Sequence, residues 1–315
     1  VKPLTVFALL VVATIATARD LVVAPDGSGD FKTIQAAVDA VPAESAERTT
    51  ILVRRGTYAE LVLISAEKKN LTLRGEDRRG TVIAATNNAN LNPRRREMFS
   101  AEADGFILEN ITLHNTTPKG GSQAEAIRVR ADRVILRGCD FKSFQDTLRL
   151  DGRVYVRDCY VEGDVDYVWG SGAVYFERCT FHSVYNGYLV QSRNGAGAFG
   201  YVFVDCRLTA SPNVDRYVLA RIEPGRFPHS HVAFINCALG PHISAAGWQL
   251  DKVPGAESPA PAPHLRFEEF RNTDLAGKPL DTSARLPASR QLSATAAARL
   301  RSVGNVLGGW VPADR

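Results

Sequence analysis

Histidine is scarce, six in 315 residues, and none keeps step with the five cysteines, which argues against a mixed cysteine–histidine metal centre. Charge of one sign is also in short supply. Lysine and arginine outnumber aspartate and glutamate by only 38 to 34, a balance that permits contact with a polyanion but carries no nucleic-acid signature. Long apolar runs are missing too. The one candidate, residues 4–15, is too short to span a bilayer comfortably. It follows Lys2 and precedes Ala16-Thr17-Ala18, small residues at the positions a signal peptidase reads, so residues 1–18 are expected to be a secretory leader. Residues 19–315 are then one domain, exported to the periplasm or the extracellular space, with no membrane contact once the leader is gone and no nucleic-acid partner. Its net charge is near +3, because Lys2 leaves with the leader and 37 basic residues face 34 acidic ones. A hydrophobic content of 45% with 23% charged residues is ordinary for a folded soluble chain and gives no sign of disorder.

What is present is a repeat. Residues 134–146 read VILRGCDFKSFQD and residues 154–166 read VYVRDCYVEGDVD; each reaches a cysteine (Cys139, Cys159) and sets an aspartate seven residues on (Asp146, Asp166). VYFERC keeps the spacing of 20 with Cys179, and YVFVDC and VAFINC carry Cys206 and Cys237. Upstream, Asn110 in FILEN and Glu76 in LTLRGE take the cysteine slot, so that successive slots lie 34, 29, 20, 20, 27 and 31 residues apart. Short strands at such a period, with no helical pattern between them, specify an all-β solenoid, a right-handed parallel β-helix. Five cysteines in one slot, alternating with inward apolar residues, read as a stack of buried thiols. A bridge between neighbouring coils stays open as the alternative. Parallel stacking at about 4.8 Å also places Asp146 over Asp166. Two carboxyls that close do not both ionise freely, so one is held as an acid while the other stays an anion. Ordinary turn aspartates on a solvated loop are the competing account.

A solenoid has open ends to cover. A strand at residues 21–24 leads to a helix capped by Asp30, with apolar residues Ile34, Ala37, Val38 and Val41 at helical spacing, the natural N-terminal cap. Gly56-Thr57-Tyr58-Ala59-Glu60 reads as a turn between two strands, and residues 253–263, rich in proline and alanine, as an extended surface excursion. Residues 292–307 are alanine-rich and helical in character, so a C-terminal helix is expected to lie along the solenoid and help bury Phe267, Phe270, Leu307 and Trp310.

Around the aspartates stand residues with matching chemistry. Gln145 precedes Asp146, and Gln123 lies one coil earlier; an uncharged amide donates to a developing oxyanion, which a carboxylate cannot do. Arg221 is suited to hold one aspartate through a bidentate pair. Phe144, Tyr167 and Trp169 flank the carboxyls, as on a face that stacks against sugar rings. A glutamine ladder, a structural ion pair and core aromatics would each explain one of these features in isolation.

Together, in this order, the motifs resemble those of the pectin methylesterases, over nearly the whole chain from the cap helix to Trp310. Gly56-Thr57-Tyr58-Ala59-Glu60 is similar to the family's Gly-x-Tyr-x-Glu, Gln123-Ala124-Glu125-Ala126 to its Gln-Ala-x-Ala, and Gln145-Asp146-Thr147-Leu148 to its Gln-Asp-Thr-Leu. Asp166-Tyr167-Val168-Trp169-Gly170 resembles Asp-Phe-Ile-Phe-Gly, and Leu219-Ala220-Arg221 the start of Leu-Gly-Arg-Pro-Trp. The resemblance implies a secreted carbohydrate esterase that removes methyl groups from the galacturonate esters of homogalacturonan. In it Asp166 is the nucleophile, Asp146 the general acid and then base, Gln123 and Gln145 the oxyanion donors, and Arg221 the group that keeps Asp166 charged. Pectin is the implied partner, no metal or organic cofactor is implied, and a monomer is expected.

Two departures bear on substrate. Ile222-Glu223 stands where the family has Pro-Trp, which removes a ring from the sugar groove and adds a charge that repels an anionic polymer. Arg149 follows Gln-Asp-Thr-Leu where an aromatic is common; it either attracts uronate carboxylates or is simply solvated on the outside of a coil. A non-catalytic polysaccharide-binding solenoid, and an esterase or thioesterase for another acyl substrate, are the other readings. A lyase on this fold would use clustered carboxylates for calcium and a basic catalyst, neither of which accompanies this pair.

Overall fold

A computed structural model describes residues 20–313; the leader expected at residues 1–18 lies outside them. Every strand pairing in both sheets is parallel, the chain rising one coil per repeat as a parallel β-helix. Eleven strands form the first sheet, starting at Leu21–Val23 and including Val134–Arg137, Arg153–Arg157, Ala173–Glu177, Tyr201–Val204 and His231–Ile235. The second sheet has two arms, which supply the other two faces of each coil. One arm runs through Thr112–Asn115 and Asp140–Lys142, the other through Phe99–Ala101, Ile127–Val129 and Leu148–Leu150. They join at the long strands Tyr160–Gly170 and Thr180–Ser192, which cross both faces.

The corner between the first sheet and the next face is made by one residue per coil in the left-handed region: Asn110, Gly138, Asp158, Arg178, Asp205, Asn236 and Arg271, with φ between 49° and 62°. A single such residue turns the chain sharply, and glycine, asparagine and aspartate tolerate the conformation best. The next residue points inward, and there the cysteines lie. All five are buried and unbridged. Each thiol meets the carbonyl two residues earlier and one on the preceding coil, as Cys159 does with Arg157 O at 3.3 Å and Leu136 O at 3.5 Å. Burial pushes the thiols of Cys139, Cys179 and Cys206 up, so they remain protonated. The register corrects one assignment. Glu109 pairs with Arg137 and Thr112 with Asp140, so Ile111, not Asn110, stands in the cysteine slot, and Asn110 belongs to the corner row.

Aromatic residues stack by the same register. Phe176, Phe203 and Phe234 lie on successive coils with ring centroids 4.5 and 4.4 Å apart, all fully buried. At the N-terminal end the helix α1, Ile34–Ala40, buries Ile34, Ala37 and Val38 over the open core. Thr33, not Asp30, is its N-cap, accepting from Ala36 N, while Asp30 accepts from Val22 N. Glu60 completes the cap by accepting from Ile34 N at 2.8 Å and Gln35 N at 2.9 Å, so the acidic end of Gly56-Thr57-Tyr58-Ala59-Glu60 is a helix-terminus ligand. Gly56–Tyr58 is itself a strand and not part of a turn. The C-terminal helical segment is split at Ser302 into α2, Ala294–Arg301, and α3, Val303–Val306. Leu300, Val303, Val306 and Leu307 pack on the outer face of the first sheet against Tyr155, Tyr175, Val202 and Ile235, with Trp310 and Phe270 at the rim; Phe267 is buried in the interior core. No helix among the described residues is long and apolar enough to cross a membrane.

The phenylalanine row is a fully buried column of this core. Phe203→Ala empties space between two stacked rings and is expected to cost about 3–5 kcal/mol, read as a fall in the denaturation midpoint with an unchanged slope.

Candidate active site

Leu148 pairs with Val168 and Arg149 with Trp169, and counting back along the two strands brings Asp146 alongside Asp166 on neighbouring coils. Asp146 N also donates to Val165 O at 3.0 Å. Both aspartates lie in the left-handed region, Asp146 at φ 69° and Asp166 at φ 48°. The strand carrying Asp166 shifts register between Val165 and Val168, a bulge that re-aims the side chain out of the ladder. Non-glycine residues in this conformation cost roughly 1–2 kcal/mol each, and strain of this kind concentrates where a side chain must point against the regular pattern.

The two carboxyls have different company. Asp166, 6% exposed, makes a bidentate pair with Arg221, whose Nε donates to Oδ1 at 2.9 Å and whose Nη2 donates to Oδ2. Gln191 Nε2 adds a third donor at 3.2 Å. The Gln191 amide is oriented by Arg193, which donates to its Oε1, so the amino end faces Asp166. Three donors converge on a group that offers only acceptors, which is the complement of a carboxylate. Arg221 is braced in turn by Asp251 at 3.3 Å and lies over the Tyr188 ring.

Asp146, 7% exposed, has one cation, Arg96, which donates from Nη2 to Oδ2 at 2.9 Å while its Nε serves Glu125 at 2.8 Å. Burial raises the Asp146 carboxyl well above the ordinary aspartate range, and the negative charges of Glu125 and Asp166 add to it, against Arg96 and Arg193. A carboxyl raised by burial and a carboxyl held by three donors therefore stand on adjacent coils.

Of the remaining expected residues, Gln123 and Gln145 are half-exposed, and neither amide nitrogen is bonded to protein among the described residues; Gln123 Oε1 accepts from Ser122. Gln145 lines a concavity of about 220 Å³ with Phe144, Ser143, Ser122, Lys119 and Asp164. Phe144 faces Tyr185, ring centroids 6.0 Å apart, and Lys119 Nζ sits 3.4 Å over the Tyr185 ring. The other two aromatics are not free for a sugar. Tyr167 points into the solenoid, 1% exposed and near Ser183 and Tyr217, because the residue after Asp166 alternates to the inner face. Trp169 is 4% exposed and covered by guanidiniums, with Arg149 4.3 Å, Arg193 4.5 Å and Arg96 5.1 Å from a ring centroid. It is a platform for arginines. Arg149 is not simply solvated, since it joins Trp169 to Asp151 at 2.8 Å. Ile222 is buried in the core, and Glu223 opens a turn that brings Phe227 beneath Arg193.

Sequence reasoning missed Arg96, Glu125, Gln191, Arg193 and Tyr185. Gln191 was reachable, since it falls in the same ladder as Arg149, Trp169 and Arg221. Arg96 sits in an irregular loop, where no period marks it.

A model of the pectinesterase family matches residues 20–308. Pectinesterase 31 of Arabidopsis thaliana is 36% identical over 211 residues, covering 62% of this chain and 67% of its own length. The chain spans about half the length of other curated relatives it matches. Among solved structures, a pectin methylesterase from carrot superposes with a TM-score of 0.82 at 26% identity, covering 93% of this chain and 95% of that one. A pectin methylesterase in complex with a hexasaccharide gives 0.78 at 25% identity, covering 95% and 99%.

Because Asp146 is protonated more readily folded than unfolded, it stabilises the fold below the ordinary aspartate range, and that contribution is lost as pH rises through its raised folded value. Asp146→Asn is accordingly expected to be more stable than the parent at pH 7.5 and equal to it below about pH 3.5, by urea unfolding at both pH values.

Proposed function

Since the chain belongs to the pectinesterase family, we propose that it hydrolyses the methyl esters of galacturonate in pectin, releasing methanol and leaving demethylated homogalacturonan. The observation that carries this reading is the asymmetric pair: Asp166 held by Arg221 and Gln191, beside Asp146 raised by burial. In it, an Asp166 oxygen attacks the ester carbonyl carbon, and the carbonyl oxygen takes the charge. Gln145 and Gln123, whose amide nitrogens are not engaged with protein, donate to that oxygen. As the intermediate collapses, the bond to methoxy breaks and Asp146 gives its proton to the departing oxygen, so methanol leaves. The product is an anhydride between Asp166 and the uronate. Asp146, now an anion, takes one proton from water, whose oxygen attacks the acyl carbon; the anhydride bond breaks, Asp166 leaves as a carboxylate, and the uronic acid formed gives its remaining proton to solvent. Arg221 keeps Asp166 placed through the cycle.

The polysaccharide would lie along the stacked coils, with Phe144 and Tyr185 as the apolar contact and Arg149 and Arg193 offering guanidiniums to uronate carboxylates. Ile222-Glu223 motivates a non-catalytic binding role, but Phe227 supplies an aromatic ring near Arg193 on the same turn, which favours the esterase. We further infer that the protein is exported by way of residues 1–18, as a single domain, and works as a monomer.

The direct test is methanol release from highly methylated pectin across a broad pH range. The parent is expected to release it and Asp166→Asn to lose activity on the order of 10⁴-fold. Pectin binding without hydrolysis in either protein would establish the binding role instead. Gln145→Ala is expected to lower kcat about 10²–10³-fold with KM little changed, the mark of a donor used only in the transition state.

A further inference from the structure

Glu125 has no part in the chemistry above, yet it is fully buried and bound to the same guanidinium as Asp146. Arg96 reaches Glu125 Oε1 through Nε and Asp146 Oδ2 through Nη2, at 2.8 and 2.9 Å. One cation thus serves two carboxyls. The other oxygen of Glu125, Oε2, is buried with no hydrogen-bond partner among the described residues. Its position is set by the backbone, whose carbonyl accepts from Met98 N and from Asn115 Nδ2, both at 3.0 Å. A core apolar side chain would fill this place without cost, whereas a buried carboxyl is expensive unless its charge is used.

Asp146 faces Arg96 on the loop before Phe99–Ala101, Glu125 before Ile127–Val129, Asp166 on Tyr160–Gly170, and Arg193 after Thr180–Ser192. Glu125 faces Arg96 and Glu97 on that loop. Arg221 is taken by Asp166 and Asp251, and Arg193 by the oxygen of Gln191. Among the described residues, Arg96 alone bonds both Asp146 and Glu125.

Resting on the esterase reading, in which Asp146 is the acid, we propose that Glu125 and Arg96 are positioning residues that hold the Asp146–Glu125 pair to a single negative charge, so that Asp146 is available as a proton donor when the ester arrives. One guanidinium neutralises one carboxylate, and the second ionisation then meets an anion in a dry site. Burial raises both carboxyls, in keeping with a pair that retains a proton. When Asp146 delivers its proton to the departing methoxy oxygen, Arg96 is already in contact with the carboxyl oxygen that becomes charged.

The two partners give opposite signs. Glu125→Gln keeps the shape and an acceptor for Arg96 but removes the competing charge, so Arg96 serves Asp146 alone and ionisation becomes easier. The alkaline limb of the kcat profile, where the acid form is lost, is expected to move down by about one pH unit. Arg96→Gln removes the cation, and the same limb is expected to move up. The Asp146 carboxyl, followed by ¹³C NMR titration in the same proteins and assigned with Asp146→Asn, is expected to shift in the same two directions. Limbs that stay in place, or that move the same way in both variants, would overturn the proposal. If Arg96→Gln does not fold by circular dichroism, Glu125→Gln alone decides it. Absence of methanol release from the parent would count against the esterase reading, while the titration would still report whether Glu125 and Arg96 govern Asp146.

Discussion

Parallel register between successive coils is the constraint on which the rest of this molecule depends. Each residue lies beside its counterpart one turn away, so a side chain is chosen for its own place and for the column it joins. The cysteines form one column, Phe176, Phe203 and Phe234 another. The carboxyls of the candidate site obey the same rule, Asp146 and Asp166 being adjacent because their strands are. Columns of like residues are favourable for rings and thiols, which gain contact, and unfavourable for carboxyls, which gain repulsion. The site exploits the unfavourable case.

Resolving that repulsion requires the two columns of counter-charge to differ. Arg221 gives both of its forked donors to Asp166, and Arg96 divides its own between Asp146 and Glu125. Neighbouring positions on one scaffold therefore meet different surroundings: Asp166 holds a forked arginine, while burial, with the charge of Glu125, raises the Asp146 carboxyl. The left-handed backbone at both aspartates is the accompanying cost, borne by coils with a continuous buried apolar interior.

The sequence made the architecture legible wherever the period is tight. The two copies at residues 134–146 and 154–166 differ by 20 residues with no insertion, so both aspartates and their neighbours could be placed by counting. Where loops vary, counting slipped, as at Asn110, which took the slot that belongs to Ile111. Alternation along a strand was the clue that Tyr167 faces inward, and grouping it with its aromatic neighbours by proximity overrode that clue. Thr33 and Asp30 are both good capping residue types, and the helix start at Ile34 with the hydrogen bond from Ala36 N gives the role to Thr33. Arg96, the ion-pair partner of Asp146, comes from a loop whose length follows no repeat, and nothing short of the folded chain brings it to Asp146.

The cysteine column has a consequence beyond packing. With each thiol enclosed between coils and none of the five bridged, the chain reaches its final state without sorting sulfur pairs. A thiol reagent can reach a given sulfur only when the coils on either side of it part. The order in which Cys139, Cys159, Cys179, Cys206 and Cys237 react would therefore trace how the solenoid unwinds, coil by coil, with no foreign probe introduced.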